Sequence, residues 1–158
     1  AKVGLAFDMK VIAWSENLTR DCAQDIGVEL VKKDDLLKES DIITIHLVLS
    51  ERTRALIGKR ELLTMKKSAY LINTSRGPIV NEKELIDALQ KKTISGAGLD
   101  VYDNEPLPKD HQLRKLENVV LTGHTGFVVN ELHQLVYGQA VEGIQAWKAG
   151  RHLRLLNG

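Results

Sequence analysis

The sequence predicts an α/β fold: a doubly wound parallel sheet with helices on both faces. Three observations carry that expectation. Short β-rich runs alternate with stretches of helical spacing along the chain. One run, "DIITIHLVL" (41–49), is almost wholly apolar, as expected of a strand covered on both faces. The 158 residues are enough for one compact core and too few for two ordinary ones.

Taken in order, "KVIAW" (10–14) predicts a strand, and "LTRDCAQDIG" (18–27) a short helix or loop. "VELV" (28–31) is a short strand, and "DDLLKES" (34–40) opens with two acidic residues that favour a helix start. After the 41–49 strand, "RTRALIGKRELLTMK" (52–66) has helical spacing broken at Gly58. "AYLINTS" (69–75) is a further buried strand. In "NEKELIDALQKK" (81–92), Leu85, Ile86 and Leu89 form one stripe, with lysines expected in the last turn. "ISGAGLDV" (94–101) and "NVVLTG" (118–123) read as strands. A long helix at about 130–149 sets Leu132, Leu135, Val136, Val141, Ile144 and Trp147 broadly along one side, ending before Gly150.

Composition narrows the function. Lys and Arg number 22 against 21 Asp and Glu, which leaves no field to steer nucleic acid or an anionic membrane, so neither is expected as a partner. Cys22 is alone, so there is no disulfide framework, and a reducing, cytoplasmic setting fits. No apolar run approaches the ~20 residues of a membrane span, and no signal peptide is visible. His, Cys and carboxylates show no ligand spacing, so no metal is expected.

In parallel α/β sheets, ligands bind beyond the carboxyl ends of the strands. The residues there are Ser15, Leu47 to Leu49, Thr74 to Arg76, Asp100 to Glu105, and His124. Arg76 offers a planar fork suited to a carboxylate; its alternative is a structural pairing with Asp100 or Glu105. His124, between Gly123 and Gly126, is a proton shuttle or a satisfied structural histidine. Glu105 sits in "DNEPLP" and is either the partner of an imidazole or a solvated loop residue. His46, inside the apolar run, reads as a core residue or a ring near a ligand. His111, His133 and His152 read as surface residues.

"LINTSRGPIVNEKELIDAL", "GAGLDVYDNEPLP" and "VVLTGHTG", in that order, resemble the cofactor-binding domain of the D-isomer-specific 2-hydroxyacid dehydrogenases. The resemblance covers essentially the whole chain and implies a Rossmann-like fold with NAD as cofactor. It implies an oxidoreductase interconverting a 2-keto acid and a D-2-hydroxy acid. In that scheme Arg76 holds the substrate carboxylate, His124 exchanges the proton and Glu105 keeps His124 protonated. Asp100 bonds the nicotinamide carboxamide and helps orient Arg76, Thr74 and Ser75 approach the cofactor, and Leu47 with Val48 lines its adenosine side. Family members usually dimerise through this domain, so a homodimer is expected.

Three departures from the family pattern matter. No G-x-G-x-x-G is present. "AKVGLAFDMK" aligns with the end of the helix that follows that loop, although "KVGLAF" alone could pass for a strand. The expectation is therefore a partial dinucleotide-binding domain at 1–150, lacking the first strand and glycine loop, with a tail at 151–158 leading towards an absent substrate domain. Such a fragment is expected to be inactive by itself. Second, Ser15 replaces the usual acidic residue after the second strand; Glu16 beside it opposes a 2′-phosphate and Arg20 attracts one, which favours NAD and leaves NADP open. Third, Val48 and Gly123 stand where proline is commoner. The alternative function is a non-catalytic dinucleotide-sensing or protein-interaction module of the same fold.

Overall fold

The computed structural model describes residues 1–155; residues 156–158, the end of the expected tail, lie outside the described residues. The chain forms two compact units, one from Ala1 to Gly123 and a second beginning at His124. Each is described by itself.

The first unit opens with helix α1 (Lys2–Ala6), so the segment that could pass for a strand is helical. Strands β1 (Ile12–Ala13) and β2 (Glu29–Leu30) pair in parallel as a small sheet. Between them runs α2 (Arg20–Gln24), whose Thr19 cap accepts from the Cys22 N–H at 3.3 Å. Helix α3 (Lys33–Glu39) carries Asp34 and Asp35 in its first turn, where the helix dipole favours them. Four strands, β3 (Ile42–Ile45), β4 (Tyr70–Asn73), β5 (Gly96–Leu99) and β6 (Val119–Leu121), form a parallel sheet in that order. Helices α4 (Lys59–Thr64) and α5 (Glu82–Gln90) occupy the crossovers flanking β4.

Pairing register decides which side chains meet the core. Ile43, Leu71, Ala97 and Val119 lie on one rung, and Ile45, Asn73, Leu99 and Leu121 on another two residues on. This face joins Leu62, Leu85, Ile86 and Leu89 in one buried cluster. The intervening positions point the other way. There Ile42, Tyr70 and Val120 are at least half exposed. Gly96 and Gly98 are closely approached there: a Cβ on Gly96 would stand 2.6 Å from the Asn118 carbonyl oxygen and 3.0 Å from the Tyr70 ring, and one on Gly98 3.0 Å from Ile72 Cδ1.

Several expectations change. The apolar run 41–49 is a strand only over Ile42–Ile45, and its burial alternates instead of covering both faces. A continuous apolar run does not show where pairing stops, and β3 ends when β4 turns away after Asn73. His46 is accordingly an exposed residue just past the strand, bonded to the Thr44 hydroxyl at 3.0 Å, and not part of the core. Gly58 caps α4 from outside, with its N–H donating to Glu61 Oε2 at 3.1 Å; the residues before it form turns. Lys91 and Lys92 fall past α5 because the backbone turns left-handed at Lys92 (φ 54°).

The second unit holds α6 (Asn130–Lys148), which matches the expected long helix. Leu135, Val136, Val141, Ile144 and Trp147 on it are all more than half exposed, and Ala146 is its buried residue. Among the described residues no helix is long and apolar enough to cross a membrane.

Candidate functional site at the carboxyl ends of the strands

Since β3 to β6 are parallel and in register, residues 46–49, 74–76, 100–105 and 122–123 all leave the sheet at one edge. The segment after β4 is fixed by Asn73, which is 1% exposed. Its Nδ2 donates to the Arg76 carbonyl at 2.9 Å and its Oδ1 accepts from the Ser75 N–H at 3.0 Å. Its own carbonyl accepts from the Asp100 N–H at 3.0 Å, which ties the end of β4 to that of β5. Ser75 Oγ donates to the Ile45 carbonyl at 2.8 Å, linking back to β3. A short polar side chain closing a turn on its own backbone does this without a larger loop.

Arg76 stands exposed at the end of this braced turn. Its Nη1 donates to the Ser75 carbonyl at 2.6 Å. The structural pairing with Asp100 or Glu105 that the sequence left open is not formed, and Asp100 does not orient this guanidinium through a direct bond. Thr74 is exposed beside it and Ser75 half-buried; Leu47 is half-buried and Val48 84% exposed after β3. Ser15, after β1, is half-buried, and its Oγ accepts from the Asn17 N–H at 3.3 Å.

Past β5, Asp100 is 5% exposed and its Oδ1 accepts from the Thr122 hydroxyl, so a buried carboxylate is held at the sheet edge. Tyr102, 6% exposed, donates its hydroxyl towards the carbonyls of Leu99 (3.0 Å) and Thr122 (2.7 Å). Burial, then the negative charge of Asp100, push this phenol above its ordinary pKa, so it stays a donor at neutral pH. The Tyr102 N–H donates to Glu105 Oε1 at 2.9 Å, which turns the carboxylate of an otherwise exposed residue back onto the chain. The Glu105–Pro106 peptide is cis.

His124 opens the second unit. It is half-buried, its ring meets Phe127 edge to face at 6.0 Å, and its backbone is left-handed at φ 58°. An L residue with a Cβ is disfavoured there, and such conformations gather at functional sites.

Asn73 and Thr122 belong to this edge and were not singled out by sequence, and Tyr102 entered only as part of the 100–105 stretch. For Asn73 the signal was available: an amide closing an apolar run before Thr-Ser-Arg-Gly. His111, read as a surface residue, is half-buried instead. Its Nδ1 caps a 3-10 turn by accepting from the Leu113 N–H at 3.3 Å, and its Nε2 meets Glu82 Oε1 at 3.1 Å. A groove of about 520 Å³ lined by Lys67, Ser68, Lys92, Ile94, Ser95 and Asn118 lies at the opposite edge, where β4 to β6 begin. Among the described residues no three His, Cys, Asp or Glu side chains are grouped to hold a metal ion.

Comparison with known proteins agrees with this arrangement. The family model for the D-isomer specific 2-hydroxyacid dehydrogenase, NAD binding domain, matches residues 1–126. A glyoxylate reductase of Aeropyrum pernix is 41% identical over 151 residues, covering 96% of this chain and 45% of that protein. A phosphoglycerate oxidoreductase structure from Vibrio cholerae superposes with a TM-score of 0.88 at 29% identity, covering 94% of this chain and 48% of that one. The NAD-complexed D-isomer specific 2-hydroxyacid dehydrogenase of Lactobacillus delbrueckii gives a TM-score of 0.81 at 32% identity, covering 97% of this chain and 50% of that one. The chain thus spans about half the length of the curated relatives it matches. With a Rossmann-like parallel sheet and the family's sequence signature over most of its length, this chain belongs to the D-isomer specific 2-hydroxyacid dehydrogenases, as their NAD binding domain.

Proposed function

We propose that this chain is the cofactor-binding and catalytic-residue-bearing part of an oxidoreductase that interconverts a 2-keto acid and a D-2-hydroxy acid. The observation that carries the proposal is Arg76: a guanidinium exposed at the end of β4, on a backbone braced by Asn73, with no carboxylate among the described residues bonded to it. A charged fork held in this way suits an anionic substrate.

The residues at the edge fit a dinucleotide. Asp100 is a buried acceptor, Thr74 and Ser75 present short polar groups, and Leu47 and Val48 present an apolar, solvent-facing surface. Ser15 lies after β1 and takes the ribose side, with NAD favoured and NADP the alternative. When bound, the nicotinamide supplies or accepts the hydride. The protein's own part is to bind the substrate carboxylate at Arg76 and to move one proton at His124. In reduction the imidazolium gives its proton to the keto oxygen; in oxidation the imidazole takes it from the hydroxyl. Glu105 supports the protonated imidazole. A cytosolic homodimer completes the proposal, and sedimentation of the purified protein tests the dimer.

The test is reduction of a panel of 2-keto acids, glyoxylate and hydroxypyruvate among them, with NADH and NADPH. It uses protein expressed from its whole reading frame, with Arg76→Gln alongside. Turnover that collapses in Arg76→Gln supports the proposal. Turnover unaffected by that substitution overturns the role of Arg76. Inactivity of the 158-residue chain by itself is part of the proposal, and the same assay run on that chain tests it. The second reading, a dinucleotide-sensing or interaction module, is favoured by the exposed apolar residues of α6. Dinucleotide binding without turnover of any keto acid by the whole-frame protein would select it.

A further inference from the structure

The groups that brace the candidate site converge on a residue that no assigned role uses. We propose that Tyr102 is a positioning residue for Glu105: its buried hydroxyl ties the ends of β5 and β6, and this fixes the backbone N–H that holds the Glu105 carboxylate. This rests on the dehydrogenase function proposed above.

Three contacts set the backbone of Tyr102. The hydroxyl lies within reach of the Leu99 carbonyl (3.0 Å) and the Thr122 carbonyl (2.7 Å), one at the end of each strand. A phenol has one proton, so it is shared between these acceptors. The Leu99 carbonyl also accepts the Thr122 N–H at 3.0 Å, so the hydroxyl extends the β5–β6 pairing past its last rung, Leu99 with Leu121. On the main chain, Gly77 lies against the Tyr102–Asp103 peptide so closely that a Cβ on it would stand 2.1 Å from the Tyr102 carbonyl carbon. The ring is anchored in the core and the peptide after Tyr102 is seated on Gly77, so the residue is held from both sides while its N–H donates to Glu105 Oε1 at 2.9 Å. A phenol is protonated across the neutral range, and burial pushes this one further up. Phenylalanine at 102 would keep the packing and lose the tie.

The experiment compares the unsubstituted chain, Tyr102→Phe and Tyr70→Phe, the last removing a hydroxyl from a tyrosine that is 50% exposed. Three-bond couplings from Glu105 Cγ to its backbone N and C′ report whether its side chain holds one rotamer. One rotamer is expected in the unsubstituted chain and in Tyr70→Phe, and averaging over rotamers in Tyr102→Phe. Unchanged couplings in Tyr102→Phe, even with a lowered melting temperature, would overturn the proposal and leave Tyr102 purely structural. A measurement on the unsubstituted chain covers the case of a variant that does not fold. The deuterium isotope effect on Tyr102 Cζ reports hydroxyl exchange, and exchange as fast as that of Tyr70 would equally overturn the proposal. In the whole-frame protein, Tyr102→Phe is expected to lower kcat about fivefold, the loss of one hydrogen bond, with KM for the dinucleotide unchanged. Absence of turnover in the unsubstituted protein refutes the dehydrogenase function alone, since couplings and exchange still decide the positioning.

Discussion

Gly77 and Tyr102 touch backbone to backbone: a Cβ on Gly77 would lie 2.1 Å from the Tyr102 carbonyl carbon and 2.2 Å from its oxygen. No flexible side-chain end is available to swing aside, so any larger residue at 77 must move a main chain. Gly77→Ala is expected to cost about 2–3 kcal/mol, as overpacking does. Thermal melting checks this, with a drop of roughly 6 °C expected for a chain of this size. Gly123→Ala is the control, because a Cβ there meets nothing within 4 Å, and its melting temperature should hardly change.

Arg76 lies exposed at the mouth of the sheet, so changing it should barely affect folding, within about 0.5 kcal/mol. Arg76→Lys keeps the charge and loses the fork. In the whole-frame protein it is expected to cut kcat/KM for the keto acid about 100-fold, the scale of a charge-assisted hydrogen bond. KM for the dinucleotide should remain unchanged. Steady-state kinetics with each reactant varied in turn separates the two constants.

The left-handed backbone of His124 allows its imidazole to be tested without disturbing its backbone. Asparagine tolerates this conformation better than most residues. His124→Asn is therefore expected to add no backbone strain, while in the whole-frame protein it lowers turnover by about 10³, within the range for loss of a general acid–base group. His124→Gly should melt slightly higher than His124→Ala, because only glycine lacks the Cβ that crowds there. Calorimetry on the pair checks the ranking.

Acid stability turns on Glu61, which is 8% exposed. Burial acts to raise its pKa. The hydrogen bonds from Lys33 Nζ at 3.0 Å and the Gly58 N–H at 3.1 Å outweigh burial, and its carboxyl is held below the usual 4.5. A carboxyl depressed in the folded state stabilises above its unfolded pKa, and that contribution fades as pH falls through the folded value. Glu61→Gln is expected to cost about 2 kcal/mol near neutrality. The gap to the unsubstituted chain should close on acidification below pH 4.5. Urea titrations at several pH values measure it. A gap that stayed constant down to pH 3 would show that the ionised carboxylate contributes nothing.

The ends of β4 and β5 were legible because their apolar runs stop where the chain leaves the sheet, and Thr74 to Arg76 and Asp100 to Glu105 were found at one edge for that reason. The extent of β3 was not legible. Apolarity continues through Leu47 and Leu49, which pack partly against the core without pairing as strand. The helical stripe of α6 was visible, but its burial was not, since periodicity reports a face and not what covers it. Contacts between distant residues were least accessible. His111 with Glu82 is separated by 29 positions, and Tyr102 with Thr122 by 20. Neither leaves a local pattern, because side-chain hydrogen bonds across a fold depend on register that only pairing supplies.

On the outward side of the sheet, β5 has hydrogen atoms where its neighbour has bulk, with Tyr70 beside Gly96 and Ile72 beside Gly98. Volume beside Gly98 is shared with its cross-strand partner Ile72, while at Gly96 the main chain before β6 also closes in. A methyl group gained at 98 would press on the end of the Ile72 side chain, which a smaller residue at 72 would relieve, whereas one gained at 96 would meet the Asn118 carbonyl oxygen at 2.6 Å, which no exchange at 70 removes. Paired variation is therefore expected at 72 and 98, and glycine alone at 96.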